Sequence, residues 1–371
     1  MKIVMIGQKG IPMLFGGIER HVEEVSLNLA QRMDSTGLPY QVFVYARSYY
    51  TSKKIKQYKK VNVVHLTSLK TKHLDAISHT FLASWHAIFK IKPDVIHYHG
   101  IGPALCVWIP KFFSPRTKVV FTFHCRDYFH KKWGGFAQFS LKIGEMIGCY
   151  LADEVIPVSL EIQEYIKKKY NRKTNFIPHG VSQEEYIPAE IIRKWDLEKD
   201  NYLLVVSRLI KHKGIHYLIE AFKKIKTDKK LVIVGPCFYT EEYEKKLKEM
   251  AKNDSRILFL GTQHGKALKE LFSNAYFFVN PSEQEGLPFT VLEAASFNKT
   301  LLLSDIDIHQ KMFENLPFFF ENKNIKNLKE KIEFLLKNPK LVRQRGKKLR
   351  DYARENYNWD KTVERTILRY I

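Results

Sequence analysis

The chain has 371 residues, more than one hydrophobic core usually supports, and at 45% hydrophobic it has enough apolar material for two. Its net charge of +22 calls for an anionic partner, which leaves nucleic acid, a membrane surface or a phosphorylated substrate. No apolar run approaches the ~18 residues of a spanning helix, the N-terminus enters strand-like sequence at once, and the four cysteines form no C-x-x-C pair; a spanning segment, a secreted disulfide frame and a structural zinc module are therefore not expected, and a cytoplasmic protein is.

In chain order, strand-like runs are expected at 2–7, 40–46, 61–66, 94–99, 118–124 and 154–159, with helical patterns such as 19–32 and 160–170 between several of them. A second series follows at 202–207, 230–235, 256–261, 275–280 and 300–304, with helices at 214–225 and 241–252. Strands spaced by helices imply βαβ units and parallel doubly wound sheets. The expected organisation is α/β: an N-terminal Rossmann-like domain over 1–180, a C-terminal one over 181–355, and a last amphipathic helix within 356–371. The junction is placed at 175–182 (NFIPHGVS), as a short strand ending in Pro178 and Gly180. Ligands of open α/β sheets sit beyond the carboxyl ends of the strands, so two such sheets are expected to face a ligand across a crevice.

Position refines the charge argument. Residues 1–180 carry 26 Lys and Arg against 12 Asp and Glu, and the stretch 49–60 (YYTSKKIKQYKK) interleaves aromatics with lysines. Lys111-Phe112-Phe113 and His130-Lys131-Lys132-Trp133 have the same character. Such segments suit an anionic lipid surface, where basic groups meet headgroups and rings settle at their level. The alternative for a charge run is a solvated loop.

The candidate chemistry lies at strand ends. Gly16-Gly17-Ile18-Glu19 opens a helix after the first strand; glycines admit a ligand close to the backbone, and a helix N-terminus favours an anion. His124 ends the run KVVFTFH, and Asp127 three positions on is a candidate to orient or deprotonate an acceptor hydroxyl. Arg208, at the end of 202–207, and Lys213, before the next helix, can converge on one diphosphate and offset the charge that builds on it as it departs. Glu285 and Glu293 bracket EGLPFTVLE, one on the loop at a helix mouth and the other down the helix, where carboxylates would accept hydrogen bonds from hydroxyls. Read one at a time, these residues fit equally a plain turn, a structural histidine, exposed basic side chains and a loop cap. No Asp-x-Asp stands in a strand-end loop to hold a metal–diphosphate complex, Asp305-Ile306-Asp307 reads as a turn, and no metal or cofactor is expected.

Taken together and in this order, Gly16-Gly17-Ile18-Glu19, the His124 turn, Ser207-Arg208-Leu209 with Lys213-Gly214, and Glu285-Gly286-Leu287 through Leu292-Glu293-Ala294 resemble glycosyltransferase family 4 of the GT-B fold. The resemblance spans nearly the whole chain. It implies a retaining hexosyltransferase that takes a nucleoside diphosphate sugar to a lipid-linked or saccharide acceptor in bacterial surface-polysaccharide synthesis; the basic and aromatic segments add the expectation of a peripheral place at the inner membrane face. It also implies roles: Gly16, Gly17, Arg208 and Lys213 hold the diphosphate, Phe289 and Thr290 add backbone N–H groups, Glu285 faces the donor sugar, Glu293 grips the ribose, Gln263 meets the base, and the last helix crosses back onto the N-terminal domain. Pro288 departs from the family, which often has a glycine there. Two rivals fit part of this: a sugar-nucleotide 2-epimerase of the same architecture, against which the Glu285/Glu293 pair argues, and a nucleic-acid binder, for which no helix-turn-helix, zinc or RNP pattern is present and which is not expected.

Overall fold

Runs such as Lys2–Ile6 (KIVMI) and Tyr202–Val206 (YLLVV) bury nearly every side chain on both faces, as central strands of a covered parallel sheet do. They anchor two separate sheets in the computed structural model, which describes residues 1–14, 16–71, 74–126, 128, 134–237 and 240–371. The chain divides into two compact units, Met1–Gly180 with Trp359–Ile371, and Val181–Asn358.

Among the described residues, the first unit has a seven-stranded sheet built from β1 (Lys2–Ile6), β2 (Gln41–Arg47), β3 (Gln57–Tyr58), β4 (Val61–Leu66), β5 (Val95–His99), β6 (Lys118–Phe123) and β7 (Glu154–Pro157). Their spatial order is β3-β4-β2-β1-β5-β6-β7, parallel throughout except for the β3–β4 hairpin. Lys59 and Lys60 turn that hairpin with positive φ at both positions, the primed geometry that matches strand twist. The chain steps outward from β1 to β4 and then returns to β5 on the other side of β1. The loops leaving β1 and β5 therefore flank the point where strand order reverses, the usual ligand position in such sheets. The helix Trp359–Ile367 packs on the helix Gly17–Leu29 of the same unit. Arg32 pairs with Asp360 at 3.0 Å, and the Thr362 hydroxyl donates to the Pro178 carbonyl at 3.0 Å. A Cβ on Gly180 would lie 2.5 Å from the Trp359 ring, so only glycine lets the two approach.

Among the described residues, the second unit has six parallel strands, β8 (Tyr202–Val206), β9 (Lys230–Val234), β10 (Ile257–Phe259), β11 (Phe277–Asn280), β12 (Leu301–Ser304) and β13 (Phe318–Phe320), in the order β10-β9-β8-β11-β12-β13. Leu203, Val205, Ile233, Phe277, Val279 and Leu302 form one core with the helices Ile215–Lys223 and Ile325–Lys337. Strand order reverses between β8 and β11. The loops after those two strands, which carry Arg208–Lys213 and Ser282–Glu285, are thereby neighbours.

Two local expectations fail. Residues 175–180 form no strand: Pro178 has no N–H to give a ladder, and just beyond them Val181 makes an isolated bridge to Asn358. Asp305-Ile306-Asp307 is not a turn either, since Asp307 opens the helix Asp307–Met312 and Asp305 accepts from the Asn322 backbone at 2.8 Å. The short strands β3 and β13 were not expected; the sequence offers too few alternating positions to mark them.

Candidate functional site

In the second unit, Ser282 donates its backbone N–H to the Asn280 side chain at 3.0 Å, a turn that redirects the chain as it leaves β11. It carries Glu285 back under the strand ends. There Lys213 Nζ lies 2.6 Å from Glu285 Oε1, with side-chain exposures of only 13% and 8%. Ser282 Oγ donates to the same Oε1 at 2.7 Å, and Asn280 Nδ2 stands at 3.5 Å. Ser304, at the end of β12, donates to the Ser282 carbonyl at 2.6 Å and lies 3.2 Å from His309 Nδ1, so β11 and β12 share one hydrogen-bonded support.

Gly214 makes the convergence possible. Its φ is +67°, and a Cβ there would sit 1.9 Å from the Pro281 carbonyl oxygen, so the loop after β8 can press against the loop after β11 only without a side chain. A backbone bond from Glu283 N–H to the His212 carbonyl at 2.7 Å closes the contact.

Burial alone would raise the Glu285 pKa. The Lys213 charge and hydrogen bond outweigh it, with help from His309 and the Ser282 hydroxyl, and hold the carboxyl down at about 2. His309 is lowered to about 4 by burial, against the opposing pull of Glu285, and is neutral at pH 7. The result is a fixed carboxylate and a cation at one sheet's switch point. Arg208 is exposed at the end of β8. Phe289 and Thr290 open the helix Phe289–Ser296, and Glu293 lies half-buried within it. Gln263 follows β10 in the loop, its amide donating to the Leu260 carbonyl at 2.6 Å. Ser282 escaped the sequence reading because the run Asn280-Pro281-Ser282 registers only as a strand breaker, and Ser304 and His309 because their contacts depend on β12 lying beside β11.

In the first unit, Gly16 has φ +111° at the mouth of the helix Gly17–Leu29, and a Cβ there would strike the Glu19 carboxylate at 1.9 Å. Glu19 Oε1 in turn accepts the Lys9 backbone N–H at 3.1 Å, which pins the glycine loop. The His124 ring is not open at the strand end. It is 4% exposed and belongs to a buried cluster with His21, His99 and His179. Burial first, then the neighbouring His21 and His97, hold its pKa well below the ordinary value, so the ring is neutral. The cluster joins residues from separate elements, and the sequence carried no sign of it beyond His97-Tyr98-His99. Asp127, Lys131, Lys132 and Trp133 lie outside the described residues.

Comparison with known proteins places these features. The chain matches the family model "Glycosyltransferase Family 4" over residues 15–185 and the model "Glycosyl transferases group 1" over 189–356. It is 30% identical to the O-antigen chain mannosyltransferase RfbU of Salmonella typhimurium over 165 residues, 43% of this chain and 44% of that one, so it spans less than half of that relative. Sucrose-phosphate synthase from Thermosynechococcus elongatus superposes with a TM-score of 0.85 at 20% identity, covering 100% of this chain and 98% of that one. Anabaena HepE in complex with UDP and glucose gives 0.81 at 16% identity, covering 99% and 98%. The two parallel Rossmann-like sheets and these neighbours make the fold GT-B. With two family models matching consecutive stretches from residue 15 to residue 356, the chain belongs to glycosyltransferase family 4.

Proposed function

We propose that the protein is a retaining hexosyltransferase that moves a sugar from a nucleoside diphosphate donor to a hydroxyl of a lipid-linked or saccharide acceptor in cell-surface polysaccharide synthesis. The observation that carries this reading is the Lys213–Glu285 pair at the β8/β11 switch point. The diphosphate rests against Lys213, Arg208 and the N–H groups of Phe289 and Thr290. These cationic and dipolar groups offset the charge on the departing nucleoside diphosphate, the role a divalent ion takes elsewhere. Glu285, kept ionised, accepts hydrogen bonds from donor-sugar hydroxyls, and Glu293 does the same for the ribose; Gln263 meets the base. In this reading Gly16 and Gly17 are further diphosphate contacts, Asp127 orients or deprotonates the acceptor hydroxyl, and His124 shapes the donor–acceptor junction through the backbone of its turn rather than through its buried ring. RfbU is by name an O-antigen mannosyltransferase, and HepE was solved with UDP and glucose, which supports the substrate class.

The reading includes a peripheral position on an anionic membrane face. Among the described residues no helix is long and apolar enough to cross a membrane. On the first unit, Trp85 stacks on Phe89 at 5.6 Å and meets Phe113 at 4.8 Å, and Phe81, Phe89, Phe112 and Phe113 are all exposed. Lys90, Lys92 and Arg116 stand exposed close by in the chain. This patch is a better membrane contact than 49–60, where Tyr50 is buried and Tyr49 donates to Asp75 at 2.6 Å.

The test is to incubate the protein with a panel of nucleoside diphosphate sugars and lipid-linked acceptors, and to read the product anomer by NMR. Transfer with the donor's anomeric configuration is expected. Inversion refutes retention, and an epimerised nucleotide sugar with no acceptor product refutes transfer.

A further inference from the structure

Five imidazoles, His21, His97, His99, His124 and His179, lie in contact inside the first unit, each no more than 4% exposed. Apolar cores do not collect neutral imidazoles for packing, because each ring brings two polar nitrogens that must find partners. His97 has both: Tyr370 OH at 2.7 Å and Thr122 Oγ1 at 2.6 Å. The others face one another. His99 Nδ1 and His124 Nε2 are 3.3 Å apart, long for an N–H···N bond, and His124 Nδ1 is buried with no hydrogen-bond partner.

We propose that His21, His99 and His124 form a binding site for a divalent late transition metal of the zinc class, with His179 as the group that orients His21. One ligand atom from each of the three rings lies within 4.8 Å of the others. Nitrogens held at about 2.0–2.1 Å around a tetrahedral ion are ~3.3 Å apart, the separation His99 and His124 already have. The fold brings the three rings together from two directions. Adjacent parallel strands β5 and β6 bring His99, the last residue of β5, near His124, which follows β6 two residues past His99's register partner Thr122, and the helix Gly17–Leu29 contributes His21. His179 Nδ1 contacts His21 Nδ1 at 2.9 Å, an outer contact of the kind that sets a ligand's ring orientation and leaves its other nitrogen to the ion. Met5 Sδ, 3.5 Å from His99 Nε2, adds a soft neighbour. An imidazole set selects zinc, cobalt, nickel or copper over the oxygen-loving ions that bridge phosphates. All three proposed ligands belong to the first unit, and none is a group assigned to the diphosphate. Its effect is to tie the helix, the sheet and the segment carrying His179 together.

Untagged, chelator-treated protein is titrated with Co(II). One equivalent is expected to bind with the visible bands of a four- or five-coordinate ion, to be displaced by Zn(II), and Zn(II) is expected to raise Tm. His21→Gln and His99→Gln should weaken Co(II) binding at least about tenfold, whereas His65→Gln, a histidine of β4 outside the cluster, should not. His179→Gln should weaken it by a smaller factor. No stoichiometric binding by the wild type, or equal binding by His21→Gln and His99→Gln, overturns the site. If those variants do not fold, X-ray absorption on wild-type protein loaded with one equivalent of Zn(II) decides: at least two imidazole ligands support the site, and fewer overturn it.

Discussion

Lys213 Nζ and Glu285 Oε1 meet at 2.6 Å where the loops after β8 and β11 close on each other, and neither side chain keeps more than a small fraction of its surface in water. A buried pair of this kind contributes little net stability over an apolar equivalent, yet breaking it leaves an uncompensated charge. Its value is positional: it fixes a carboxylate and a cation beside one anion-favouring helix mouth.

Glu285→Gln keeps the shape and the Ser282 contact but removes the charge. Transfer turnover is expected to fall about 10²–10³-fold, while affinity for the nucleoside diphosphate alone changes less than about tenfold. Steady-state rates beside calorimetric titration separate the two, and unchanged turnover rules out the role.

The same carboxyl makes stability depend on pH. Its pKa falls from 4.5 to about 2 on folding, so the stabilisation is fully present above the unfolded value and is lost as pH falls through the folded one. The contribution is on the order of 3 kcal/mol. Urea unfolding of wild type and Glu285→Gln should show a constant gap between pH 7 and about 5 that closes toward pH 2. A gap independent of pH contradicts the assigned ionisation.

Gly214→Ala should be costly although it adds a single methyl. The new Cβ meets the Pro281 carbonyl at 1.9 Å in a backbone with φ +67°, so the loops must separate. A loss of more than about 1 kcal/mol is expected, with weaker nucleotide binding. Thermal melting and titration check both; wild-type values in each contradict the close approach.

The aromatic patch gives a separable prediction. Phe89→Ser with Phe112→Ser should release the protein from vesicles containing anionic phospholipid, with nucleotide affinity unaltered. Charge removal at Lys53, Lys54 and Lys56 should act more weakly and fade at higher salt. Sedimentation reads both, and equal retention of the Phe variant rules out the patch.

Strands were the most legible part of the sequence, since a central parallel strand is an uninterrupted apolar run: 2–7, 118–124 and 230–235 each contain one, with ends within a residue or two. The junction at 175–182 misled because Phe176-Ile177 is apolar but precedes a proline. At the site, Lys213, Glu285 and Gly214 carry local signals in glycine, proline and charge spacing. Their contact does not, because it depends on the sheet order that sets β11 beside β8. Ser304, His309 and the five imidazoles depend wholly on such long-range neighbours.

The central claim is that the second unit binds a nucleoside diphosphate sugar through Lys213 beside Glu285. Calorimetric titration of UDP, GDP and dTDP sugars into wild type and Lys213→Ala, with chelator present, tests it most directly. At least one donor should bind the wild type, and Lys213→Ala should bind it at least about tenfold more weakly; no binding by any donor, or equal binding by the variant, would contradict it.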